Sequence, residues 1–288
     1  MTKWLARAKV NLVLDVVGPR ADGYHELRTI FQSIELADVL SVEPADGIAV
    51  VCAAPGVPDG PGNLAFRAAA RLREQFKVDA GCRIAIEKRI PAAAGLGGGS
   101  ADAAAALVAL NDLWGLGLTS ADLVTLAAEM GSDVPFMVAG GTCLGTGRGE
   151  LLTPVATAGR FPIAVVVPPV AVATPAAYQA VDRWPTPLHP DIEPAIAALR
   201  SGRWRDLAAA VGNTFEAPVA AGEPRIAEAL ATIRGIVRQG VVMSGSGSAI
   251  AVINPSPGQV EELARALPDC FVWAGLTACA GVSRLATN

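Results

Sequence analysis

Between Lys88 and Leu110 the chain runs Lys-Arg-Ile-Pro91-Ala92-Ala93-Ala94-Gly95-Leu96-Gly97-Gly98-Gly99-Ser100-Ala-Asp102, followed by alanines and leucines. This stretch constrains the fold more than any other. Upstream, Cys82 to Ile90 alternates enough to predict a strand. Downstream, Ser100 can cap a helix of strong helix formers, with Asp102 in its first turn where negative charge suits the dipole. A junction of strand, glycine loop and helix exposes unpaired backbone N–H groups, and glycines let an anion come close to them. A phosphate group is the expected guest. The loop is not a Walker A, because no Gly-Lys-Ser/Thr follows the glycines. Nor is it a dinucleotide fingerprint: Gly95-x-Gly97-x-x-Ser100 lacks the third glycine, and no acidic residue stands in a clear second βαβ unit. The alternative is a flexible turn with no ligand, which the flanking strand and helix disfavour.

With 288 residues the chain has room for two domains. It is 52% hydrophobic and 17% charged, enough for buried cores and too apolar for disorder. A net charge of −4 argues against nucleic acid or an anionic membrane as the main partner. Cys52, Cys82, Cys143, Cys270 and Cys279 are scattered without a C-x-x-C pair, which suggests reduced thiols and a cytoplasmic location. His25 and His189 alone cannot build a histidine zinc site. The N-terminus imitates a signal peptide, but Asn11 and Asp15 interrupt its apolar run. The apolar stretch from Phe161 to Ala173 is too short to span a bilayer and holds three prolines.

Residues 4 to 17 read as a strand in which Lys9, Asn11 and Val13 share a face. A lysine and an asparagine on an apolar strand need partners unless that face is solvated at a sheet edge. Asp22-Gly23 is a turn signal, and Tyr24 and His25 follow it. A flat ring beside a directional donor and acceptor could grip a nucleobase; packing on the hairpin is the alternative. Asn63 reads as the cap of a helix over Leu64 to Phe76. Asp133 stands just before Pro135 where a helix begins, and capping alone would explain it. Thr174 caps a further helix with Pro175 first inside it, and Tyr178, four residues on, shares the face of Thr174. Ser41 to Cys52 reads as two strands about Asp46-Gly47, and Val241 to Ile253 as two strands about a Ser-Gly-Ser-Gly-Ser turn. Helices are predicted near 191–200, 203–212, 224–238 and 257–266, and strands near 270–275 and 280–285; His189 reads as a surface histidine.

Pro91, Gly95, Leu96, Gly97 and Ser100 resemble the phosphate loop of the GHMP kinases, Pro-x3-Gly-Leu-Gly-x-x-Ser. Lys9-x-Asn11-Leu, and Arg20-Ala-Asp-Gly-Tyr24-His25-Glu-Leu, narrow the likeness to the branch that phosphorylates a cytidylated methylerythritol on the non-mevalonate isoprenoid route. That resemblance implies an α+β, two-domain fold. Residues 1–153 would be the ATP-binding domain, with a C-terminal strand at about 279–288 packing back on it. Residues 154–278 would form a ferredoxin-like substrate-binding domain. It implies Asp133 as general base and Lys9 as the stabilising cation. The loop from Pro91 to Ser100 would hold the ATP phosphates, with Asn63, Leu64 and Lys88 around the nucleoside. Asn11, Tyr24, His25, Thr174 and Tyr178 would hold the acceptor. Mg2+ is expected with ATP, with Ser100 its side-chain contact. The implied partners are two small molecules, with no nucleic acid and no membrane, for a monomer or homodimer. A homoserine or mevalonate kinase, and a non-catalytic nucleotide-binding domain, are the alternatives; a dehydrogenase is disfavoured because a long β-rich segment precedes the loop.

Overall fold

Two long antiparallel strands, β1 (Thr2–Pro19) and β2 (His25–Ala45), form the spine of a computed structural model that describes residues 1–286. Register shifts between Arg7 and Lys9, Asn11 and Val13, and Val16 and Gly18 bend the pair. Such bulges re-aim side chains, and here they fall around Lys9 and Asn11. Beside β2 lie β3 (Ile48–Cys52) and β4 (Gly81–Glu87) at one end, and β5 (Thr142–Thr146) with β6 (Leu151–Pro154) at the other. The hairpin expected about Asp46-Gly47 does not form. β4 inserts between β2 and β3 and runs parallel to β3, and Cys82 N–H donates to the Gly47 carbonyl. The turn is closed by a strand whose Cys82 lies 35 residues beyond Gly47, which local sequence does not reveal.

One face of this sheet is covered by α1 (Leu64–Gln75), α2 (Gly98–Leu113), α3 (Ser120–Ala127) and α4 (Val134–Ala139). Asn63 caps α1 through its side chain, as expected, and Thr119 caps α3 in a reciprocal capping box with Asp122. α2 departs from its expected start. Gly97 in the left-handed region is its cap, so Ser100 lies inside the first turn and Asp102 beyond it. Four consecutive buried alanines, Ala103 to Ala106, let α2 lie close against its neighbours on several sides.

The second sheet is built from β7 (Pro162–Val167), then β8 (Gly212–Asn213) diverting to β1, then β9 (Val241–Met243), β10 (Ile250–Ile253) and β11 (Phe271–Leu276). Its order is β11-β7-β10-β9, antiparallel throughout, with helices in both crossovers. This is the ferredoxin-like arrangement. Ile163 and Val165 face one core, Ala164 and Val166 the other, so β7 is apolar at nearly every position because both faces are buried. The helices are α5 (Thr174–Asp182), α6 (Glu193–Ser201), α7 (Trp204–Ala210), α8 (Glu216–Gly222), α9 (Pro224–Ile236) and α10 (Pro257–Ala266). α8 lies where the sequence predicts no helix. Thr174 is the first residue of α5 rather than its cap, which is Ala173. β12 (Val282–Arg284) pairs with β1 in the larger sheet. Thr287 and Asn288, at the end of the expected returning strand, lie outside the described residues.

His189 is exposed at the surface, as expected, and its Nδ1 lies 2.8 Å from Asp15 Oδ1 on β1. No helix among the described residues is long and apolar enough to cross a membrane.

Candidate active site

A cleft of about 900 Å3 opens between the two sheets. Its floor is the loop before α2. Gly95 (φ +78°) and Gly97 (φ +70°) occupy the left-handed region that favours glycine. A Cβ on Gly97 would lie 2.2 Å from Met137 Cε, and one on Gly95 2.2 Å from the Ser244 carbonyl. Three hydrogen bonds pin this backbone from outside. Lys9 N–H donates to Leu96 O, Ala249 N–H to Ala94 O, and Ser244 Oγ to Gly95 O. Because Gly97 has no side chain to cap α2, the N–H groups of Gly98, Gly99 and Ser100 face the cleft, with no acceptor among the described residues. That is the donor set an anionic phosphate requires.

The expected loop residues divide by role. Pro91, Ala93, Ala94, Gly95, Gly97, Gly98, Gly99 and Ser100 line the cleft, as does Leu64 on α1. Leu96 is buried behind the loop, and Ala92 does not reach the cleft. Asn63 is buried as a cap, holding Ala65 N–H and donating to Pro58 O. Lys88 corrects its expectation most sharply. It does not line the cleft but lies buried under the first turn of α2, where a Cβ on Gly98 would meet its Nζ at 3.2 Å. Its ammonium bridges Asp38 and Asp102 at 2.5 and 2.7 Å. Asp38 also accepts the N–H groups of Arg89 and Ile90. Burial pushes the Asp102 carboxyl up to about 7, although Lys88 opposes this, and Asp38 adds to the rise. Burial also weakens the charge on Lys88, but Asp102 and Asp38 outweigh it and leave the ammonium raised. One cation is shared by two carboxyls. Asp38 has three donors, whereas Asp102 Oδ1 has none, an arrangement that favours the neutral form of Asp102.

Beyond the loop, Lys9 is buried on β1. Its Nζ donates to Asn11 Oδ1 at 2.7 Å, lies 3.6 Å from Asp133 Oδ2, and sits over the Phe31 ring. Asn11 is held in turn: Nδ2 donates to Thr29 Oγ1, and its backbone N–H donates to Ser244 Oγ. Asp133 occupies the cap position of α4, but its side chain makes no capping hydrogen bond. Its carboxylate points to Lys9 and is one-third exposed in the cleft. Capping therefore does not explain this aspartate.

The other end of the cleft is aromatic. His25 stacks on Tyr178 at 4.6 Å, and Tyr178 meets Phe215 edge-on at 4.9 Å. His25 Nε2 is 2.8 Å from Asp182 Oδ1 on the last residue of α5. Tyr24 is exposed at the rim beneath the Arg148 guanidinium. Burial, reinforced by the Asp133 charge, pushes the Tyr178 hydroxyl up to about 12. Thr174 bonds Ser246 Oγ across the cleft wall. Sequence reasoning missed Thr29, Phe31, Asp38, Arg148, Asp182 and Phe215. Asp182, four residues beyond Tyr178 on one helical face, carried a signal; the others stand in no motif.

The chain matches two family models, the GHMP kinases N terminal domain over residues 63–141 and the GHMP kinases C terminal domain over residues 195–272. The 4-diphosphocytidyl-2-C-methyl-D-erythritol kinase of Pelotomaculum thermopropionicum is 44% identical over 248 residues, covering 85% of this chain and 86% of that one. Its namesake from Moorella thermoacetica is 45% identical over 85% and 87%. A crystal structure of 4-(cytidine 5'-diphospho)-2C-methyl-D-erythritol kinase superposes with a TM-score of 0.82 at 39% identity, covering 96% of this chain and 99% of the other. A homoserine kinase from Cytophaga hutchinsonii superposes at 0.78 with 17% identity over 99% and 97%, a likeness of fold alone. A phosphate loop braced by both sheets, a lysine–aspartate pair at its mouth and identity above 40% over 85% of the chain lead to one assignment: the chain belongs to the 4-diphosphocytidyl-2-C-methyl-D-erythritol kinase family of GHMP kinases.

Proposed function

We propose that the chain phosphorylates the 2-hydroxyl of 4-diphosphocytidyl-2-C-methyl-D-erythritol with ATP, giving the 2-phosphate and ADP. The observation that carries this reading is the Lys9–Asp133 pair at the mouth of the glycine loop, with Asp133 free of capping duty. Phosphoryl transfer asks mainly for positioning and charge stabilisation. The free N–H groups of Gly98, Gly99 and Ser100 would hold the phosphates. Asp133 accepts the proton of the acceptor hydroxyl. Lys9, held in place by Asn11, puts positive charge where the alkoxide and the transferring group develop negative charge. Magnesium, carried on the nucleotide, would neutralise phosphate charge, and the Ser100 hydroxyl in the cleft fits as its protein contact.

The acceptor end supports a cytidine diphosphate. His25, Tyr178 and Tyr24 offer ring faces and a directional imidazole, and Arg148 adds a cation suited to a diphosphate. Residues 1–153 with β12 would carry the ATP side of this cleft and residues 154–278 the second wall.

ADP release with ATP, magnesium and each of three alcohols tests the reading. Turnover with the cytidylated methylerythritol and none with homoserine or mevalonate is expected. Phosphorylation of either of the others in its place refutes the acceptor assignment.

A further inference from the structure

Asn213 lines no part of the cleft, yet its buried amide touches the supports of both ends. Its Nδ2 donates to Met243 O at 2.7 Å and to Gly245 O at 2.8 Å, while its Oδ1 accepts Phe215 N–H at 2.9 Å. Two carbonyls at one end and an N–H at the other admit only one orientation of the amide. Each arm reaches the cleft by one further step. At Gly245 a Cβ would lie 3.3 Å from Lys9 Nζ and 3.4 Å from Gly95 O, so this backbone is the wall against which the lysine and the phosphate loop rest. Phe215 meets Tyr178 edge-on, and Tyr178 stacks on His25. Asn213 is itself tied to the strand of Lys9 and Asn11, opposite Leu14 in the β1–β8 pairing.

We propose that Asn213 is a positioning residue for the reaction. This one amide sets both the wall beside Lys9 and the aromatic support of the acceptor's base, and so holds the transferring group and the acceptor at a fixed separation. The inference rests on the function proposed above. Its chemistry is specific: two donors must face two carbonyls and one acceptor must face an N–H. No other side chain of this size supplies both. Displacements of an ångström at a transfer site cost up to about a hundredfold in rate, so the turn arm should show in kcat and the aromatic arm in KM.

Three variants separate the arms. Asn213→Asp keeps the acceptor for Phe215 but turns oxygen toward the two carbonyls. Its kcat should fall about tenfold or more at nearly unchanged acceptor KM. Phe215→Leu leaves the turn alone and should raise acceptor KM about tenfold with kcat changed less than about twofold. Asn213→Ala should show both losses. Asn213→Asp and Phe215→Leu keep the test alive if the alanine variant does not fold, and a urea melt verifies that each is folded. Folded Asn213→Asp with wild-type kcat overturns the proposal, as does a folded Asn213→Ala that raises KM and spares kcat. The split is read on whichever alcohol the wild-type chain phosphorylates. A failed acceptor assignment therefore shows in the wild type, and a failed Asn213 role only in the variants.

Discussion

Replacing Asp102 by asparagine should flatten the pH dependence of stability between about pH 4 and pH 7. The carboxyl lies beneath the phosphate loop, with Lys88 on one oxygen and no partner on the other. Burial holds it at about 7 in the folded chain against 3.8 ordinarily. The folded protein therefore keeps a proton that the unfolded chain releases at lower pH. Stability from this group is greatest below about pH 4 and is lost as pH rises through 7. The difference of about three in pKa, at about 1.4 kcal/mol each, amounts to about 4 kcal/mol. In Asp102→Asn the titration is gone, while an oxygen remains for Lys88 and Asp38 still neutralises it. Urea unfolding of both proteins from pH 4 to pH 8 should show the variant gaining about 4 kcal/mol on the wild type across the range. Parallel stability curves would refute the reasoning, because they would mean that Asp102 is ionised throughout. Asp38→Asn is the contrast. Asp38 is fully buried and accepts from Lys88 and two backbone N–H groups, so its loss should cost about 3 kcal/mol or more at neutral pH.

Lys9→Ala and Asp133→Asn should each lower kcat by about a hundredfold or more while calorimetry still detects ATP; wild-type turnover in either removes its assigned role. Gly95→Ala combines a left-handed φ with a Cβ 2.2 Å from the Ser244 carbonyl, so it should cost about 2 kcal/mol or more in a urea melt and weaken ATP binding. Tyr178→Ala should raise the KM for the cytidylated alcohol about tenfold or more and leave that for ATP nearly unchanged, as measured by coupled ADP release. Chelation of magnesium should abolish turnover, with activity returning on its readdition.

Local sequence carried the features whose physics is local. Glycine at 95 and 97 marks a backbone that other residues rarely adopt, and the junction it joins exposes N–H groups in any tertiary setting. Lys9 and Asn11, two apart on a strand, share a face because the strand period is two, and they hydrogen-bond to each other. Tyr24, His25 and Tyr178 declared their chemistry by residue type, and Tyr178 stacks on His25. Tertiary structure decided the rest. Lys88 stands three residues before Pro91, and the family resemblance implies it as a neighbour of the nucleoside. Its partners Asp38 and Asp102 are 50 and 14 residues away, and a buried ammonium goes where its charge is compensated. Ser100 reads as a cap, but Gly97 had already turned the chain into α2. Arg148, Asn213 and Phe215 carry no motif at all. Arg148 and Phe215 reach the cleft, and Asn213 a place behind it, because strand pairing and sheet packing bring distant segments together, and no periodicity within a segment encodes which distant segment it will meet.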